Sequence, residues 1–345
     1  MPPTDLNGAR VAIVMMSAIG DAVHVLPVVV ALKRAAPSVH LTWLLQPGPA
    51  SLVRGHPAVD EIVTVDPARG LRGLVDAGLA LRRGRVDLLI DLQVAFKAGI
   101  VTALAGAPVK LGFDRARARD LNWLFTNRRI PAHPPQHVQD QYFEFLAHLG
   151  VDPEPVEWRI GPWRHERAWQ QGFVAQVGQP YAAINLATSS PEKDWLPERW
   201  AAVADALHER YGLQSVLVGG PSEREREMER KLREAARHQP VSALGSGLRN
   251  LVGILDAAEV VLALDSAPLH VAVALGRPVV SLVAVSDPRR TGPYRRFHDL
   301  VVDAYHDPGE RRPVSMERRR GRMPRITVED VLNKVELWDA RYRSR

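Results

Sequence analysis

Three short segments of this 345-residue chain carry residue types that could do chemistry. The first is Ser17-Ala18-Ile19-Gly20-Asp21-Ala22-Val23-His24, placed after the apolar run from Val11 to Met16 and opening a helical pattern. Ligands of open α/β folds collect where backbone N–H groups and a helix dipole meet the end of a strand. Gly20 permits close approach there, and Asp21 would stand on the first helical turn, as a proton acceptor or as a helix cap. The second is Thr188-Ser189-Ser190-Pro191-Glu192-Lys193-Asp194-Trp195. Its hydroxyls and ammonium suit a diphosphate, although a polar loop with a surface lysine has the same composition. The third is Leu264-Asp265-Ser266-Ala267-Pro268-Leu269-His270, where Ser266 and the N–H groups from Ala267 onward would form an anion site. His270 either reaches a phosphate or hydroxyl, or is a packed histidine. The first segment lacks the further glycines of a dinucleotide fingerprint and the Gly-Lys-Ser/Thr of a P-loop, which argues against a nicotinamide enzyme or an NTPase.

Strand-length apolar runs alternating with helical patterns must position these segments. Strands are expected at Arg10 to Met15, His40 to Leu45, Glu61 to Val65 and Val86 to Asp91, then at Tyr181 to Leu186, Ser215 to Val218, Val260 to Ala263 and Val279 to Val283. The fold class is α/β, with two Rossmann-like domains. Val151 to Trp163, with Pro153, Pro155, Gly161 and Pro162, reads as the linker. Residues 1–160 and 161–325 are the expected domains. A C-terminal helix in 326–345, with Thr327 as its N-cap, is expected to pack back on the N-terminal domain. All three segments fall between a strand end and a helix start, in loops expected to face each other across an interdomain cleft.

The length suits two cores, and 46% apolar with 24% charged residues is a globular composition. With no cysteine, disulfides, Cys-ligated metals and a Cys nucleophile are excluded. No signal peptide and no membrane-length apolar run is evident, so a soluble cytoplasmic protein is expected. The net charge of +6 suggests an anionic partner, but the basic residues lie in scattered groups such as Arg115, Arg117 and Arg119 or Arg318 to Arg320. No nucleic-acid module accompanies them, and no nucleic-acid partner is expected.

Ser-x-x-Gly-Asp-x-x-His, Lys193-Asp194-Trp195-x-x-Glu198-Arg199-Trp200, and Asp265-Ser266-Ala267-Pro268-Leu269-His270 before Ala272-x-x-x-Gly276-Arg277-Pro278 resemble glycosyltransferase family 9. Ser286 to Tyr294 is similar to that family's closing donor-site loop. Asp91-Leu92-Gln93 with Lys97, Gly112-Phe113-Asp114, Asn127-Arg128 and Gln136-His137 resemble its lipopolysaccharide heptosyltransferase I branch, which adds the first heptose to the inner Kdo. The resemblance implies a GT-B fold with an acceptor-binding first domain and a donor-binding second. It implies that Asp21 is the general base and that Lys193 contacts the donor phosphates beside Thr188 and Ser189. Asp265, Ser266, Ala267 and His270 would form the sugar-nucleotide loop, and Glu223 would hold the ribose. Ser17, Gly20, His24, Lys97, Arg117, Arg119 and His137 would face the acceptor.

The implied reaction is inverting transfer from ADP-heptose to Kdo2-lipid A by a monomer in peripheral contact with the inner face of the inner membrane. No cofactor and no metal site is implied, since no Asp-x-Asp stands at a strand end while Lys193 and helix N-termini can stabilise the leaving diphosphate. Two positions depart from the family pattern. Asp-Thr-Gly is replaced by Asp265-Ser266-Ala267, and Arg295 follows Tyr294 in place of glycine. A sugar-nucleotide epimerase, a family 9 enzyme with another donor or acceptor, and a non-catalytic binding protein are the alternatives.

Overall fold

A computed structural model describes residues 6–343. The chain divides into two compact units, one ending at Arg159 and the other beginning at Ile160, except that Pro135–His137 group with the second. In the first unit β1 (Arg10–Val14), α1 (Ile19–Ala35), β2 (His40–Leu45), α2 (Pro47–Val53), β3 (Glu61–Thr64), α3 (Gly70–Arg83), β4 (Leu88–Asp91), α4 (Phe96–Leu104), β5 (Val109–Gly112), β6 (Arg128–Arg129) and α5 (Val138–His148) follow one another. The second unit runs α6 (Arg167–Val177), β7 (Tyr181–Asn185), α7 (Pro197–Tyr211), β8 (Gln214–Val218), α8 (Glu223–Ala235), β9 (Val241–Ser242), α9 (Leu248–Ala257), β10 (Val260–Leu264), α10 (Ala267–Ala274), β11 (Val279–Val283), α11 (Pro288–Thr291), β12 (Val301–Asp303) and α12 (Val328–Arg341).

Each unit holds one six-stranded parallel sheet, in the orders β3-β2-β1-β4-β5-β6 and β12-β11-β10-β7-β8-β9. Numbered from its own first strand, each is the 3-2-1-4-5-6 sheet of a Rossmann fold. The central strands are apolar without alternation because helices cover both faces, and every residue of β7, β10 and β11 is buried. Four strands were expected in each half. The additional ones, β5, β6, β9 and β12, have four residues or fewer and no apolar run: β6 is Arg128–Arg129 alone.

Thr327 caps α12 as expected: its Oγ1 accepts the Asp330 N–H at 3.1 Å while Asp330 Oδ2 accepts the Thr327 N–H at 2.8 Å. Helix α12 is part of the second unit. Its neighbours are α7, β11 and β12 of the second unit, where Val331, Val335 and Trp338 are buried. The Arg-rich stretch before it is largely neutralised, since Arg318 and Arg320 pair with Glu192, Arg319 with Glu310 and Arg322 with Asp307.

Candidate functional site

In a 3-2-1-4-5-6 sheet the strand order reverses between the first and fourth strands, and helices leave the carboxyl ends of those two strands toward opposite faces, opening a crevice. The reversal lies at β1/β4 in the first unit and at β7/β10 in the second, where Val14 pairs with Asp91 and Ile184 with Leu262. All three segments singled out from the sequence leave one of these four strand ends.

In the first unit, Asp21 is half-buried on the first turn of α1, and its Oδ2 accepts the Ala18 N–H at 2.9 Å. Its Oδ1 lies 3.4 Å from the Tyr142 hydroxyl of α5. The carboxylate therefore caps the helix and still faces the end of the sheet. Ser17 and Gly20 are partly exposed on the same turn. Gln93 holds that turn from β4: its Oε1 accepts the Met16 N–H at 3.0 Å and its Nε2 donates to the Ser17 carbonyl at 3.3 Å. Behind Gln93, buried Asp91 accepts from the Gln93 N–H, the Thr102 hydroxyl and the Asn122 amide. Burial pushes the Asp91 carboxyl up to about 7 despite these donors, which act in the opposite direction.

Other first-unit expectations are redistributed. His24 is buried, with Nδ1 3.3 Å from Gln139 Oε1 and its carbonyl accepting from Gln139 Nε2 at 2.8 Å, one turn of α1 beyond Asp21 and likewise against α5. Lys97 and Arg119 are exposed. Arg117 is instead committed within the unit: its guanidinium pairs with Asp114 and Glu144 and donates to the Pro131 carbonyl at 2.8 Å. Although burial opposes it, the two carboxylates hold its pKa above the ordinary arginine value. His137, expected on the acceptor side, groups with the second unit. There its Nε2 is 3.0 Å from the Gly292 carbonyl and its ring 4.8 Å from that of Tyr294.

In the second unit Lys193 lies in the loop after β7. Its Nζ donates to Asp265 Oδ2 at 2.7 Å and sits 3.4 Å from the Asp265 carbonyl. An ammonium has three N–H bonds, so one remains to be directed at a ligand. The loop is fixed by Trp195, whose ring is buried edge-on against Trp200 and donates to the Ile326 carbonyl at 3.1 Å. Thr188 is buried: its N–H donates to Asp194 Oδ1 and its hydroxyl to the Ser190 carbonyl. Arg224 of α8 joins Asp194 to the Thr188 carbonyl, whereas Ser189 is exposed. Ser266, at the N-cap of α10, donates to Asn185 Oδ1 at 2.6 Å and so ties the ends of β7 and β10 together. Ala267 begins α10 as an ordinary helical residue.

His270 is buried, and desolvation, reinforced by His137 and Lys193, lowers its pKa to about 3. It is a neutral imidazole at any physiological pH, able to hydrogen-bond but unable to supply positive charge. Glu223 is exposed at the start of α8, and its neighbour Glu225 accepts the Gly220 N–H at 2.6 Å. Arg295 adopts φ +58°, a left-handed conformation that the expected glycine takes without strain, while its guanidinium lies 5.0 Å from the Tyr294 ring centroid. The loop thus keeps a glycine-like backbone at a cost of about 1 kcal/mol.

Asn122 and Tyr142 do not stand out in the sequence, and Gln93 enters only as part of the Asp91-Leu92-Gln93 resemblance, because an amide or phenol gains its place through partners distant in the chain. Among the described residues no group of three or more His, Asp or Glu is disposed to hold a metal ion, and no helix is long and apolar enough to cross a membrane.

The glycosyltransferase family 9 (heptosyltransferase) profile matches residues 76–318. The lipopolysaccharide core heptosyltransferase OpsX of Haemophilus influenzae is 29% identical over 334 residues, covering 94% of this chain and 95% of that protein. The family 9 glycosyltransferase of Veillonella parvula superposes with a TM-score of 0.82 at 24% identity, over 96% of this chain and 98% of its own. The E. coli heptosyltransferase WaaC solved with ADP gives 0.75 at 25% identity, over 95% and 99%. With two Rossmann sheets of the GT-B kind and a profile spanning both units, this chain belongs to glycosyltransferase family 9 and is a glycosyltransferase.

Proposed function

We propose that the protein is an inverting, metal-independent heptosyltransferase that transfers heptose from ADP-heptose to the Kdo of the lipopolysaccharide inner core. The observation that carries this reading is the Lys193 ammonium held by Asp265 at the strand-order reversal of the second sheet, beside neutral His270. Support also comes from the H. influenzae relative, a lipopolysaccharide core heptosyltransferase matched over almost its whole length, and from an E. coli homologue that binds ADP.

In this mechanism the first unit holds the acceptor. Asp21 accepts the proton of an acceptor hydroxyl as its oxygen attacks the anomeric carbon of the donor, the bond to the diphosphate breaks, and ADP leaves from the opposite face. One displacement inverts the anomeric centre. Lys193, the N-terminus of α10 and the hydroxyl of Ser189 offset the charge that develops on the diphosphate, the task a divalent cation performs elsewhere. Thr188 and Ser266 act through the backbone, the first shaping the Lys193 loop and the second joining β7 to β10. Lys97 and Arg119, exposed in the first unit, suit the carboxylates and phosphates of Kdo2-lipid A. The protein would work as a monomer at the inner face of the inner membrane.

The test incubates the purified protein with Kdo2-lipid A and ADP-heptose or UDP-sugars, with and without EDTA, and follows product mass, ADP release and anomeric configuration. Transfer from ADP-heptose alone, with inversion and in EDTA, is expected. Retention, a preference for another donor, or loss of turnover in EDTA restored by magnesium would overturn the corresponding part.

A further inference from the structure

Three of the exposed large apolar side chains in the described residues gather on one edge of the first unit: Phe96 is 45% exposed, and Leu121 and Leu124 are each 56% exposed. They belong to two segments joined by hydrogen bonds, since Arg119 N–H donates to the Val94 carbonyl at 3.0 Å and Asn122 Nδ2 to the Ala95 carbonyl at 3.0 Å. The Phe96 and Phe125 rings meet edge to face at 5.6 Å. The chain is held in an unfavourable backbone to present this edge. Asp120 and Leu121 both have positive φ, 50° and 61°, conformations that are costly for non-glycine residues and most so for a bulky one. The same turn seats buried Asn122 against Asp91 and the Ala95 carbonyl, and it leaves the neighbouring leucine turned out to water.

The surroundings are basic. Lys97, Arg115 and Arg119 are exposed around the apolar tip, Arg115 stacks 4.5 Å from the Trp123 ring centroid, and Arg129 reaches the same ring at 5.5 Å. Asp120 is the one nearby carboxylate in this segment not already engaged with an arginine, as Asp114 is with Arg117. Apolar side chains at the centre, an arginine-flanked indole and a ring of cations match the cross-section of an anionic bilayer surface: hydrocarbon boundary, headgroup level and phosphates in turn. The edge also lies at the carboxyl end of the first sheet, three residues beyond Gln93, which holds the Asp21 turn.

We propose that Phe96, Leu121 and Leu124, with Lys97, Arg115 and Arg119, form a docking surface for a membrane bearing anionic headgroups, into which the apolar tip inserts. The proposal extends the reading of a lipid-anchored acceptor, because an acceptor in that membrane would meet the protein beside Asp21. It is tested without donor or acceptor, so that its failure and the failure of the transferase reading are told apart.

The full chain is sedimented with sucrose-loaded vesicles of phosphatidylcholine alone and of phosphatidylcholine with phosphatidylglycerol. Binding to the second and little to the first is expected. The pair Leu121→Ser/Leu124→Ser should weaken it at least ~10-fold. The pair Arg115→Gln/Arg119→Gln should weaken it by roughly fivefold per charge. A vesicle carrying brominated lipid should quench a fraction of tryptophan fluorescence that is missing in Trp123→Phe, a readout on otherwise native protein that keeps the test valid should either pair melt early. Wild-type protein that ignores anionic vesicles overturns the proposal. So does loss in the arginine pair with unchanged binding in the leucine pair, which would reduce the surface to a general electrostatic attraction.

Discussion

Replacing Lys193 is informative only when its partner is replaced as well. Lys193 Nζ and Asp265 Oδ2 are 2.7 Å apart, with side chains 19% and 7% exposed. Truncating one partner of a fully buried pair costs about 3–5 kcal/mol, and an exposed pair is worth about 0–1 kcal/mol. With one partner buried and the other a fifth exposed, Lys193→Met should cost about 2–3 kcal/mol and lower the melting temperature by roughly 5–10 °C. Methionine keeps the aliphatic stem, so lost packing contributes little. A fall in turnover in this single variant could arise from an unpaired Asp265 as easily as from a missing phosphate contact. The double variant Lys193→Met/Asp265→Asn removes the stranded charge and should recover most of the melting temperature. If the ammonium serves the diphosphate, ADP affinity measured by calorimetry stays down by about 10- to 100-fold relative to Asp265→Asn, the value of one charge-assisted hydrogen bond. Recovery of both stability and ADP affinity in the double variant would refute the reasoning, leaving Lys193 as a strut for Asp265 alone.

Asp21→Asn should lower turnover by about 10²- to 10⁴-fold while melting like the wild type, because the amide oxygen still accepts the Ala18 N–H. Asp21→Ala should lose turnover similarly and about 0.5–2 kcal/mol of stability as well, and an Asn variant with normal rates per folded molecule would remove Asp21 from the mechanism. For Asp91 the folded pKa is raised, so between the ordinary carboxylate value and about 7 the native state binds more protons than the unfolded one, and stability falls as pH rises through that window. Urea midpoints should show the wild type losing about 2 kcal/mol more than Asp91→Asn between pH 5.5 and 8, and parallel losses would mean that Asp91 is ionised throughout.

The position of a residue is legible in the sequence where a single strand runs straight into a helix. Asp21, Lys193 and Asp265 were found because apolar runs mark their strands and the polar residues beyond them have nowhere to lie but the sheet end. The same logic failed for residues whose direction depends on tertiary packing. His24 is three residues beyond Asp21 on the same face of α1, and both meet α5, but the further turn places it in the interior against Gln139. Arg117 and Arg119 are equivalent in composition. They differ because Asp114 and Glu144, the latter on a helix far along the chain, lie beside only one of them. His137 carried no sign of its allegiance, since a three-residue segment that groups with the other unit has no periodicity to read. The four short strands were illegible for the reason that makes them edges or near-edges: two to four residues need no continuous apolar run.

The two sheets share one topology, and the carboxylate near the end of the fourth strand is placed differently in each. Asp91 is the last residue of β4, paired in register with Val14, so its carboxyl is enclosed by the sheet end, Thr102 and Asn122. Burial there favours the neutral form, and the group serves to hold Gln93 and, through it, the turn bearing Asp21. In the second sheet the corresponding strand β10 ends at Leu264, and Asp265 is the first residue beyond it. One step further from the strand, the carboxylate meets a lysine from the neighbouring β7 loop and fixes a cation at the reversal of strand order. A buried carboxyl at this position leaves the first unit with Asp21 as the acidic group facing its sheet end, whereas a paired carboxylate leaves the second with an ammonium that has an N–H bond to spare. The first arrangement suits the proton acceptance, and the second the diphosphate binding, that the proposed mechanism asks of them. Moved back by one residue, the Asp265 carboxylate would take the place of Leu264 inside β10, where burial would favour its neutral form as it does for Asp91.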